Sequence, residues 1–127
     1  MGADKKWTVL YFDDNALALA ATTFAFAETE MELETAGDLE ELQARLDGRS
    51  YDLVLLDVEV PEVFGDDVGS VLKGSRGLTT PIYLYSSLPA EELEERAQDA
   101  GLDGFICKDV GMEGLIEALR AVLSAKT

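Results

Sequence analysis

The chain has 127 residues, 47% apolar and 8% aromatic, which is enough for one globular core and argues against disorder. Its 26 acidic residues against 10 basic ones give a net charge of −16, which disfavours nucleic acid and anionic membrane as partners, since both need Lys/Arg footprints. With no His and one Cys, Cys107, the chain has no internal disulfide and disfavours a zinc site.

Residues 1–6 form a polar lead, expected to be loose. Trp7 to Phe12 is a first strand that ends in Asp13-Asp14. Asp14 or Asn15 can cap the helix that follows, which is expected to run to about Glu28. Leu17, Ala21, Phe24 and Glu28 form one stripe of it; Leu19, Thr23 and Phe26 point the other way. One face must pack on a sheet. The other is either covered by neighbouring helices or is a docking face for another protein.

Met31 to Thr35 alternates apolar and polar residues, as a half-exposed edge strand does. Asp38 and Glu41 stand at capping-box spacing before a helix with a Leu39, Leu42, Leu46 stripe that ends at Gly48. Asp52 to Leu56 is a third strand. Its four apolar residues in a row, Leu53 to Leu56, fit a strand buried on both faces of a parallel sheet. Asp57 at its end either starts a turn toward Pro61 and Gly65 or stands where open α/β sheets keep their ligands.

Val58 to Gly65 reads as a loop, with Pro61 holding Glu59-Val60 extended and preventing continuation of the ladder. A helix from about Gly65 to Lys73 follows, weakened at Gly69 by roughly 1 kcal/mol relative to Ala. Pro81 opens a fourth strand, Ile82 to Tyr85, which ends in Ser86-Ser87. Ser87 is expected to cap a helix that tolerates Pro89 in its first turn, carries Glu91, Glu92, Glu94 and Glu95 near its start, and stops at Gly101. Phe105 to Cys107 is a short last strand ending in Lys108, with Cys107 as a buried inert thiol. The last helix, Met112 to Ser124, is expected to bury Leu115, Leu119, Val122 and Leu123.

Five βα repeats imply a single α/β domain over residues 1–127, with a core from about 7 to 124, a parallel sheet and right-handed crossovers. An edge-type second strand fits the flavodoxin-like order 2-1-3-4-5, whose switch point lies between strands one and three. Asp13, Asp14 and Asp57 then meet across that crevice. Carboxylates so close stay ionised together only around a cation, and a hard divalent ion, Mg²⁺ (or Mn²⁺), suits the donors. Lys108 and Ser86 at the same rim would hold a phosphoryl group against Asp57, the nucleophile of an acyl phosphate. Each also has a plain reading: Asp13-Asp14 as helix caps, Ser86 as a strand-end hydroxyl, Lys108 as a surface cation, Phe105 as core.

Leu10-Tyr11-Phe12-Asp13-Asp14-Asn15, Leu55-Leu56-Asp57 with Pro61 and Gly65, Tyr85-Ser86-Ser87 and Gly104-Phe105-Ile106-Cys107-Lys108 resemble the receiver domain of bacterial two-component response regulators. The resemblance covers about residues 7 to 124. It implies that Asp57 accepts a phosphoryl group from a histidine of a sensor kinase or phosphotransfer protein. It also implies that Asp13, Asp14, Asp57 and the backbone carbonyl of Glu59 hold Mg²⁺ and that Lys108 contacts the phosphoryl oxygens. Ser86 would turn toward the phosphoryl group, and Phe105 would follow as the switch aromatic. The usual output face in such domains is the fourth helix, fifth strand and fifth helix. Such a domain turns over no substrate beyond its own phosphorylation and dephosphorylation.

Two features depart from the family pattern. Asp109 stands where Pro often follows the Lys, so an acid could draw Lys108 away and the loop loses a rigid bend. Glu59 adds an acid near Asp57. The expectation is a stand-alone receiver without an output domain, acting on an unidentified downstream protein. The lone Cys, the lack of a signal peptide and a longest apolar stretch of only 12 residues, Ala16 to Ala27, suggest the cytoplasm. One rival is a receiver-like docking scaffold that is never phosphorylated. Another is a metal-dependent hydrolase with an Asp nucleophile, which would need a substrate cap that a chain of this length leaves no room for.

Overall fold

The computed structural model describes residues 5–60, 63–74 and 76–126. Pro61 and most of the polar lead lie outside the described residues. The order is β1 (Trp7–Phe12), α1 (Ala16–Phe26), β2 (Met31–Ala36), α2 (Leu39–Gly48), β3 (Leu53–Leu56), β4 (Glu59–Val60), β5 (Val63–Phe64), α3 (Gly65–Lys73), β6 (Ile82–Ser86), α4 (Ala90–Ala100), β7 (Gly104–Cys107), a 3₁₀ turn (Lys108–Val110) and α5 (Gly111–Lys126). The main sheet is parallel, in the order β2-β1-β3-β6-β7. Counting only these long strands, that is the flavodoxin-like 2-1-3-4-5 arrangement expected from the pattern.

Every residue of β3 is buried because helices cover both faces of the sheet. Along β1 the side chains alternate between two cores. Leu10 and Phe12 join Leu42 of α2, Val68 and Leu72 of α3 and Leu93 and Ala97 of α4. Val9 and Tyr11 join Phe26 of α1 and Leu115, Leu119 and Leu123 of α5. Val122 is only half-buried. The outer strand β2 is buried at its ends and half-exposed between them, as its alternation suggested.

Helix α1 starts on Asn15, whose Oδ1 accepts from the amides of Leu17 (3.0 Å) and Ala18 (3.1 Å). It ends at Phe26 rather than Glu28. Its end is met by a lysine: Lys5 Nζ donates to Phe26 O (3.3 Å) and the C-cap Ala27 O (3.0 Å), and to Thr29 O (2.8 Å) beyond the helix, so the lead is anchored at Lys5. The Thr22–Phe26 side faces the sheet, and neighbouring helices leave Leu17 78% and Phe24 85% exposed. In α2, Asp38 Oδ1 accepts from Glu41 N (2.8 Å), while Glu41 Oε1 accepts from Gly37 N (3.1 Å).

Three local expectations change. The segment after Asp57 is not plain loop: β4 and β5 form a short antiparallel ribbon, with Glu59 opposite Phe64. Ser87 does not cap α4. Pro89 occupies the N-cap position in extended geometry (φ −58, ψ 146), so Ser87 lies two residues too early to reach the first turn. Gly69 is set by packing, since a Cβ there would sit 2.7 Å from Leu102 Cδ2 and 3.2 Å from Leu56 Cδ1. Gly101 does end α4 in the left-handed region, at φ +73.

Gly65 fixes where α3 begins. Its amide donates to Val58 O (3.0 Å), and a Cβ on it would run into the Asp57 carbonyl oxygen. Gly65→Ala therefore forces the turn away from the end of β3. The expected loss is about 2 kcal/mol, read from the urea midpoint; an unchanged midpoint would show that the turn gives way freely.

Candidate functional site

The strand register brings the polar strand ends level. Phe12 pairs with Leu56 and Leu56 with Leu84, so Asp13, Asp57 and the end of β6 share one edge. Backbone hydrogen bonds pin both acids there: Asp13 N donates to Ala36 O (3.1 Å) and Asp57 N to Phe12 O (3.0 Å). One carboxylate oxygen each from Asp13, Asp14 and Asp57 lie within 4.8 Å of one another. Asp13 and Asp57 are buried, at 1% and 6% exposure, and Asp14 is exposed.

Lys108 follows directly on β7. Its Nζ lies 3.1 Å from Asp13 Oδ2 and 3.9 Å from Asp57 Oδ1. Among the described ion pairs it has none with Asp109, so the neighbouring acid does not draw it off the site. The missing Pro is replaced by the 3₁₀ turn, which leaves Asp109 exposed and closes on Gly111 at φ +75.

The other expected residues stand at or near this rim. Ser86 is fully buried, and its Oγ accepts from Leu88 N (3.2 Å), so the hydroxyl serves its own loop. Phe105 is half-buried, paired in register with Leu84 and packed on the first core. Glu59 is exposed, and its amide lies 3.4 Å from Asp57 Oδ1, a long hydrogen bond. Cys107 is half-buried, and burial pushes its thiol pKa up, so it stays protonated.

Two contributors were not foreseen. Tyr11 Oη donates to Asp13 Oδ2 at 2.6 Å, inside the protein. Sequence pattern marks Tyr11 as a core residue; only its spacing of two from Asp13, which puts both on one side of the strand, hints at the bond. Arg96 on α4 ties that helix to β5 and the start of α3. It donates to both Asp66 oxygens (3.2 Å each) and to Glu92 Oε2 (3.1 Å), and its guanidinium lies 5.2 Å from the centre of the Phe64 ring.

The two buried acids have opposite electrostatics. Burial raises the Asp57 pKa from 3.8 to about 6; Lys108 pulls it down, Asp13 pushes it up again, and burial wins. Burial also opposes ionisation of Asp13, but donation from Tyr11, the Asn15 amide and Lys108 overcomes it and holds that carboxyl below its ordinary value. Burial and the bond to Asp13 together hold the Tyr11 phenol well above its ordinary value. The donors are all oxygen, and among the described residues the cluster of three carboxylates has one ammonium, paired with Asp13 and Asp57. That set fits a hard divalent cation.

The response regulator receiver domain model matches residues 9–120. The chain belongs to this family. The receiver is 32% identical over 119 residues to the gliding motility regulatory protein of Myxococcus xanthus, covering 92% of this chain and 15% of that one. It is 28% identical over 114 residues to the transcriptional regulatory protein TcrA of Mycobacterium tuberculosis, covering 90% and 45%. The chain thus spans less than half the length of these relatives. A Francisella response regulator receiver domain superposes with a TM-score of 0.84 at 20% identity, covering 96% of this chain and all of that one, which speaks for the fold. Receivers are signalling domains, not turnover enzymes, and phosphorylation of an Asp is characteristic of them. They bind Mg²⁺ at an acidic Asp cluster, and this receiver has such a group. No helix among its described residues is long and apolar enough to cross a membrane.

The raised Asp57 pKa has a consequence for stability. The native state binds that proton more tightly than the unfolded chain, so native stability rises as pH falls from about 6 toward 3.8 and is lost as pH rises through about 6. Asp57→Asn mimics the neutral acid. In EDTA at pH 7.5 the variant is expected to be more stable than the parent by about 2 kcal/mol, with the gain vanishing near pH 4. Urea midpoints at the two pH values measure it, and a gain that is independent of pH would contradict the assignment.

Proposed function

We propose that this receiver accepts a phosphoryl group on Asp57 from a phosphohistidine of a partner sensor kinase or phosphotransfer protein, and signals through protein–protein contacts. The observation that carries the reading is the convergence of Asp13, Asp14, Asp57 and Lys108 on one sheet edge. Family membership supports it, since receiver domains take phosphoryl groups from sensor kinases. In this proposal residues 1–127 form one receiver unit acting in the cytoplasm, where the free Cys107 fits a reducing setting.

Asp13, Asp14, Asp57 and the Glu59 carbonyl are the residues that would hold Mg²⁺ (or Mn²⁺). When bound, the ion supplies positive charge against the phosphoryl oxygens. A carboxylate oxygen of Asp57 attacks phosphorus as the P–N bond breaks, and the electron pair leaves with the imidazole nitrogen of the donor. Lys108 needs only a short swing from Asp13 toward Asp57 to meet the new charge. The Ser86 hydroxyl, which accepts from the Leu88 amide, turns to donate its O–H to a phosphoryl oxygen, and Phe105 follows. The acyl phosphate carries a charge of about −2 where the carboxylate carried −1, and that change biases this loop between two arrangements.

Intact-mass measurement after incubation with acetyl phosphate and Mg²⁺ tests the reading. The expected result is one added phosphoryl group in the parent and none in Asp57→Asn. An unmodified parent would leave a docking scaffold as the function. Glu59 is exposed and stands two residues after Asp57, so its carboxylate would act on phosphoryl lifetime by repelling the phosphoryl group or by ordering water. Glu59→Asn is expected to slow decay of the phosphorylated form by about twofold, the scale of an exposed charge contact; an unchanged half-life would remove Glu59 from the mechanism.

A further inference from the structure

Tyr11 stands out among the buried groups that the mechanism leaves unused. Its ring fills the α1–α5 side of the core at 1% exposure and meets the Tyr85 ring edge-on, with centroids 5.7 Å apart. A phenylalanine would fill that space equally well. The hydroxyl is the only part of the side chain that core packing does not require, and it sits 2.6 Å from Asp13 Oδ2.

Among the described residues the Asp13 carboxylate has three donors. Tyr11 Oη and Lys108 Nζ (3.1 Å) share Oδ2, and the Asn15 amide meets Oδ1 (2.9 Å). These donors differ in how far they can move. The amide belongs to the cap of α1. The phenol is locked by its packed ring. Lys108 is long, half-exposed, and has a second acid within 3.9 Å. When Lys108 turns to Asp57, Oδ2 keeps a donor only because of Tyr11.

We propose that Tyr11 is a positioning residue of this site: its hydroxyl holds the Asp13 carboxylate oriented for a divalent cation, independently of where Lys108 is. The inference rests on the metal-assisted reading given under Proposed function. Hydrogen-bond partners of a ligating carboxylate orient it, and their loss typically costs about 10–100-fold in metal affinity.

The test is a titration of the metal-free full chain with MgCl₂ alone, followed by NMR of the backbone amides from Asp13 to Asn15. Tyr11→Phe is expected to raise the Mg²⁺ dissociation constant about 10-fold. Tyr85→Phe, a neighbouring buried tyrosine with no bond to Asp13 among the described contacts, is the control and should leave it unchanged. Saturating Mg²⁺ should then restore the acetyl phosphate reaction of Tyr11→Phe to the parent rate, which a merely damaged fold would not allow. If the parent itself shows no Mg²⁺ response, the metal reading and this inference fall together. If the parent responds and Tyr11→Phe binds as tightly or tighter, the inference alone is overturned. Should Tyr11→Phe not fold, the parent labelled at tyrosine Cζ decides the matter: Mg²⁺ must shift the Tyr11 resonance, and a Tyr11 resonance that stays still overturns the inference.

Discussion

Everything at the functional edge follows from two carboxylates that cannot move apart. The amide of Asp13 is bonded to β2 and the amide of Asp57 to β1, so both acids are extensions of the sheet ladder. The ladder sets their separation, not their mutual repulsion. The protein answers with unequal solvation. Among the described residues Asp13 receives three donors and stays charged, while Asp57 receives one long amide contact and a more distant ammonium. The less solvated acid is therefore the one whose charge is more readily exchanged for a proton.

The plan of the fold was legible because burial on two faces leaves a simple trace. Leu53 to Leu56 could be placed centrally for want of any polar residue, and Met31 to Thr35 at the edge for its alternation. Once the strand order followed, so did the meeting of Asp13, Asp14, Asp57 and Lys108, because parallel strands put their ends together. The features that stayed hidden depend on geometry finer than pattern. Ser87 looked like a cap by residue type, but the extended backbone of Pro89 starts α4 later. The ribbon of β4 and β5 is too short for any periodicity to mark. Gly69 looked like a weak point in a helix and is a close-packing site against Leu102. Tyr11 was legible as core and illegible as a donor, because a phenol carries both properties in one side chain.

The two sides of the sheet contribute differently to the edge. The α2–α3–α4 side packs aliphatic side chains up to Val58 and Val60, so the loop after Asp57 rests on hydrocarbon. The α1–α5 side is where the aromatic pair Tyr11 and Tyr85 rises toward the acids, with the Lys108 ammonium 5.3 Å from the centre of the Tyr85 ring. That ring gives the lysine stem a wall to lie against and the ammonium a weakly attractive face. The cation therefore faces ring electrons on one side and carboxylates on the other.

Arg96 acts as a bolt through the surroundings of this edge. One guanidinium grips Asp66 just past the Gly65 turn, lies over Phe64 and ties back to Glu92 on its own helix. The segment leaving β3 and the helix that follows Ser86 are thereby tied through a single side chain. An outward swing of α4 away from the turn breaks the Asp66 and Phe64 contacts together, while the bond to Glu92 travels with the helix.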